Sequence, residues 1–121
     1  MDSSLGSVVL MLFSVALIAI ICISMTRMAA HGKLDRHGSA GIRTRHTQAS
    51  NAAWKEGHSA ALPLIYTIGW VAAITTPIAI ATELALGTPW GILSDLAGML
   101  CEVAVLLLAT RVANNAARSV I

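Results

Sequence analysis

Gly41-Ile42-Arg43-Thr44-Arg45-His46-Thr47-Gln48-Ala49-Ser50-Asn51-Ala52-Ala53-Trp54-Lys55-Glu56-Gly57-His58 is the long polar stretch of an otherwise apolar chain. It leaves one apolar run before it and two after it. Of the 121 residues, 56% are apolar and only 12% are charged. A water-soluble domain of this length covers its surface with about twice that share of charge. The fold class that follows is an all-α integral membrane protein: a single domain of three transmembrane helices. Helices are required because backbone polar groups inside hydrocarbon must pair within their own segment.

Outward toward the N-terminus, residues 5–26 form an apolar run with no ionisable side chain. About 20 residues at 1.5 Å each cross a 30 Å hydrocarbon core. A cleavable signal peptide begins with basic residues and ends at a small-residue cleavage site. Here Asp2 precedes the run and Arg27 follows it, the charge order of an anchor with its N-terminus outside. The connector, residues 27–61, holds Arg27, Lys33, Arg36, Arg43, Arg45 and Lys55 against Asp35 and Glu56, with all four histidines. Residues 32–41 lack periodicity and read as loop. From Thr47 the pattern changes. Thr47 or Ser50 suits a helix N-cap, and Trp54, His58 and Ala61 share one helical face. A short interfacial helix over about 48–61 is expected, with Trp54 as its aromatic anchor among the headgroups.

Outward toward the C-terminus, residues 62–86 form the second span. Pro63 is expected in its first turn, where a missing N–H costs nothing. Pro77 lies inside, with Thr75 and Thr76 placed to satisfy freed backbone groups. Gly87-Thr88-Pro89 makes a turn, Trp90 opens a third span over 90–110, and Arg111 closes it before a mildly polar tail, 111–121. All eight Lys and Arg fall in the connector or after the third span. The positive-inside rule therefore places connector and C-terminus in the cytoplasm and the N-terminus outside. Asp2, Glu83 and Asp95 are left as an acidic outer side with no basic residue to offset them.

Few residues carry chemistry. Glu102 stands midway along the third span, where a charged carboxylate costs about 2.5–3.5 kcal/mol on insertion scales. Ser94, Gly98 and Glu102 recur every fourth residue, a small and polar seam that admits another helix, and Asp95 lies on nearly the same face. Two readings stay open: a proton-sensing, cation-sensing or ligand site, or a structural carboxyl bonded to Thr75, Thr76 or a backbone carbonyl. The basic residues of the connector fit anionic membrane lipids. His46 and His58 stand twelve apart, which matches no metal-ligand signature, and no cofactor motif is present. Cys22 and Cys101 lie in apolar runs and read as packing residues. The basic residues are too few, and lack interleaved aromatics, for nucleic acid. No nucleophile–base arrangement or phosphate loop supports an enzyme.

Gly41, Ile42, Arg43 and Thr44, followed by Thr47, Ser50, Trp54 and His58, resemble the signature G-I-R-T-x-x-T-x-x-S-x-x-x-W-x-x-x-H of the SdpI family of small bacterial membrane proteins. That family sets its motif between a first span and a following pair, as here. Two departures flank the match: Gly38-Ser39-Ala40 lacks the family's upstream Asn, and Ser59-Ala60-Ala61 replaces a basic residue and Gly. The chain is expected to correspond to the core of the longer immunity proteins without their additional N-terminal membrane region. The resemblance implies a non-enzymatic protein that confers immunity to a secreted peptide toxin, or signals its presence by holding a cytoplasmic repressor at the membrane. The alternative is an accessory subunit, or a homo-oligomer, packed into a larger membrane complex through small residues such as Gly69, Ala73, Gly91 and Gly98.

Overall fold

The computed structural model describes residues 3–120, which form three helices and no strand: α1 (Ser3–Ala30), α2 (Asn51–Leu86) and α3 (Trp90–Arg118). All three are long and apolar enough to cross a membrane. α2 is central and packs along both others, while α1 and α3 touch less. Val8 and Leu12 near the start of α1 meet Ala79 late in α2, so the two run antiparallel. Gly57 early in α2 lies against Ala113 late in α3, so that pair is antiparallel too. The connector and the C-terminal end of α3 therefore share one end of the bundle.

Each helix buries a single stripe. On α1 it is Val8, Leu12, Val15, Ala19, Thr26 and Ala29; on α3 it is Gly91, Asp95, Gly98, Glu102, Ala109 and Ala113. The spacings of three and four average close to 3.5 residues, the repeat that keeps one seam turned toward its partners. The outward faces are as apolar as the seam: Leu84 is 72% exposed and Trp70 is 70% exposed. Such faces suit hydrocarbon rather than water. Ile42 of the connector joins Val15, Ala61, Ile65, Ile68 and Ala109 in the main core, so the loop plugs the end of the bundle.

Three expectations need correction. Residues 51–61 are not a separate interfacial helix; they are the first three turns of α2, which runs unbroken through Pro63 and Pro77. Each proline removes one backbone hydrogen bond, and long membrane helices absorb such losses. Pro63 thus lies inside the helix rather than in its first turn. At 36 residues, α2 is about 54 Å long, well beyond one hydrocarbon core, and its Lys55-bearing start extends past the apolar layer. α3 likewise continues beyond Arg111 to Arg118. Cys101 is exposed on the outer face rather than packed inside, while Cys22 is half-buried.

Candidate functional site

The connector begins where α1 stops. Gly32 takes a left-handed φ of 75°, its N–H donates to Ala29 O, and the Lys33 N–H donates to Met28 O. This is the Schellman arrangement, which closes a helix on a glycine. The chain then folds back over the first turns of α2. Arg36 donates from Nε to Asn51 Oδ1 (3.0 Å) and from its terminal nitrogen to Gln48 O (2.8 Å). Arg43, exposed itself, donates to Arg36 O (3.1 Å) and to Gly38 O. Ser50 caps α2, its Oγ accepting the Ala53 N–H at 3.0 Å.

Thr44 and Thr47 form the next layer. The Thr44 N–H donates to Thr47 Oγ1 (2.9 Å), and the Thr47 N–H donates to Thr44 Oγ1 (3.1 Å). The Thr47 hydroxyl donates to Ile42 O (2.9 Å) from a fully buried position. Beneath lies the pair Trp54 and His58, their ring centroids 4.2 Å apart. The Ile42 N–H donates to His58 Nε2 (2.8 Å), which fixes that nitrogen as an acceptor. Nδ1 must then carry the proton and donate to Trp54 O (2.7 Å). The imidazole is neutral in this arrangement. Burial pushes its pKa below the ordinary histidine value and outweighs the Trp54 carbonyl, which acts in the opposite direction.

Gly41 sits directly on these rings. Its φ is 101°, and a Cβ there would stand 2.8 Å from Trp54 Cη2 and 3.0 Å from His58 Nε2. Glycine is therefore required twice, by conformation and by space. Ile42, Thr44, Thr47, Trp54 and His58 are joined by hydrogen bonds, Gly41 packs on the two rings, Arg43 ties the loop to itself and Ser50 caps the helix. Trp54 corrects its expectation: at 3% exposure it is no headgroup anchor, and its Nε1 donates inward to Leu34 O at 2.8 Å. His46 does not join His58; its Nδ1 pairs with Asn114 Oδ1 of α3 at 3.1 Å.

Two ties escaped the sequence reading. In the sequence Arg36 is only a positive charge, and Asn114 stands in a mildly polar tail. Both bonds span distant positions, so local pattern carries no signal for them.

Asp95 and Glu102 lie elsewhere, on the α3 stripe that faces the bundle, and are 0% and 1% exposed. The seam expected around them is present: a methyl on Gly98 would overlap Thr75, and Ser94 Oγ lies 3.1 Å from Thr82 Oγ1. The expected partners of Glu102 are otherwise engaged. Thr76 donates to Ala72 O, Thr75 packs under Gly98, and both Glu102 oxygens are buried without a hydrogen bond. The acidic outer side is also corrected. Asp95 and Glu83 point into the bundle, with Glu83 Oε1 accepting from Thr88, and Asp2 lies outside the described residues.

The model of the SdpI/YfhL protein family matches residues 33–110, more than half the chain and all eight motif positions. The chain belongs to the SdpI/YfhL family. No curated protein and no solved structure matches it significantly. As an SdpI-family protein it is a multi-pass membrane protein whose motif residues fold a polar connector onto a three-helix bundle. Arg43 is the motif side chain left most accessible, with Arg45 beside it.

Proposed function

We propose that this SdpI-family protein acts by binding rather than catalysis, giving immunity to a secreted peptide toxin or signalling its presence. The carrying observation is the connector. Eight motif positions are used to hold a basic loop rigidly against the membrane end of the bundle, an investment that suits recognition. In this reading the connector and C-terminus face the cytoplasm and the N-terminus faces outward, in keeping with the placement of all eight basic side chains. A soluble repressor meets the Arg43 and Arg45 surface. Toxin contact does not run through an acidic outer face, since Glu83 and Asp95 are turned inward.

Expression in a toxin-sensitive cell tests the proposal. Survival should rise with the intact chain and fall back to the empty-vector level with Arg43→Ala. Equal killing with and without the intact chain would remove the immunity half, and failure to retain any cytoplasmic repressor at the membrane would remove the signalling half. The accessory-subunit reading loses support from the packing. Gly69, Gly91 and Gly98 are used against Ile23, Glu83 and Thr75 of this same chain, and of the four small residues only Ala73 faces outward.

A further inference from the structure

Two cavities adjoin along α1. One is a groove of about 360 Å³ between α1 and α2, lined by Ala16, Ala19, Gly69 and Ala72. Small side chains on both helices leave a channel there, opening onto the apolar face of the bundle. The other, about 280 Å³, is lined by Arg27, Met28, His31 and Lys33. Ile23 and Ser24 line both, so groove and basic cavity lie end to end along the helix. Arg27 and His31 are four residues apart and share a helical face. Lys33 is brought over them because the Gly32 turn reverses the chain.

The chemistry is graded along this path. No carboxylate lines either cavity, and the basic end stands where α1 leaves its apolar run. Among the described residues the side chains of Arg27 and Lys33 make no hydrogen bond or ion pair, whereas Arg36 and Arg43 donate to backbone carbonyls of the loop. An apolar slot ending in two uncommitted cations fits an amphiphile with an anionic head. We infer that α1 and α2 form a binding site for an anionic phospholipid, one acyl chain in the Ala16–Gly69 groove and the phosphate beneath Arg27 and Lys33. The site is separate from the motif lock and stands whether or not the immunity reading does.

Native mass spectrometry of the purified full chain tests this, using phosphatidylglycerol and phosphatidylcholine of identical acyl chains as probes. The intact chain should retain phosphatidylglycerol preferentially. The double variant Arg27→Gln, Lys33→Gln should lower that preference roughly 30-fold, from about 1 kcal/mol per basic residue near a membrane surface. Ala16→Leu, at an exposed position that fills the groove, should weaken both lipids together. A control pair, Arg45→Gln with Arg118→Gln, removes the same charge elsewhere and should leave the preference intact. Equal retention of the two lipids by the intact chain would overturn the proposal. So would an equal loss in the control pair, which would mean diffuse attraction. Binding of soluble glycerol phosphate as tightly as the lipid would overturn the acyl-chain half. Helical circular dichroism in phosphatidylcholine checks folding, and Lys33→Gln alone, at an exposed loop position, replaces the double variant if that fails.

Discussion

The connector lock and the α2–α3 seam bury polar side chains in opposite ways. In the lock, Thr47, Trp54 and His58 each have a hydrogen-bond partner. In the seam, five carboxyl oxygens of Glu83, Asp95 and Glu102 are buried with none, and among the described residues these are the only side-chain atoms so placed. Partnered polar groups stabilise modestly, whereas an unpartnered one costs about 1–3 kcal/mol. The lock is therefore a structural asset and the seam a liability retained by the fold. Removing a side chain from the one should harm the protein, and removing polarity from the other should not.

The largest effect is expected for Trp54→Ala. It leaves a cavity under Gly41 and strands the Leu34 carbonyl, at a cost of about 3–5 kcal/mol. Protease should then cut within residues 33–49 at concentrations that leave the intact chain whole; unchanged resistance would mean that the ring does not hold the loop. Next comes the packing of the seam itself. Gly98→Val drives a branched side chain into Thr75, which should destabilise by about 1–3 kcal/mol and lower the melting temperature in detergent.

The third test reverses the sign. Glu102→Met replaces an unpartnered carboxyl by an apolar chain of similar length, so stability should stay level or rise by about 1 kcal/mol. A clear loss in thermal unfolding would show that Glu102 has a partner worth keeping. The smallest effect comes from pH. His58 is bound as the neutral ring with a lowered pKa, so the unfolded loop takes up a proton before the closed one does. Closure is complete above about pH 6.5 and weakens as pH falls below it, toward the depressed value of the closed state. In a Trp70→Phe, Trp90→Phe background, Trp54 fluorescence should change on acidification and stay flat with His58→Gln. A flat response in the intact ring would break the assignment of Nε2 as acceptor.

Much of the lock was legible because its parts are close in sequence. Ser50 caps α2 as its residue type requires, and Trp54, His58 and Ala61 do share a face. What misled was the environment of Trp54. Its type is common at membrane interfaces, yet the loop that covers it is held by Arg36, Arg43 and Gly41 through contacts that no periodicity announces. Pro63 misled similarly, since a proline ends a helix only when the surrounding chain fails to carry it through.

By itself the sequence determined three hydrocarbon-length helices, a basic connector between the first and second, and the family motif within it. Length, charge and residue type act locally, and each can be read one segment at a time. Tertiary structure decided which way every helix faces. Lipid is as apolar as the inside of this bundle, so hydrophobicity cannot tell an inward side chain from an outward one. Only the close approach of small residues, Gly57 to Ala113 and Gly98 to Thr75, turned Glu83, Asp95 and Glu102 into the interior and left Trp70 and Leu84 outside.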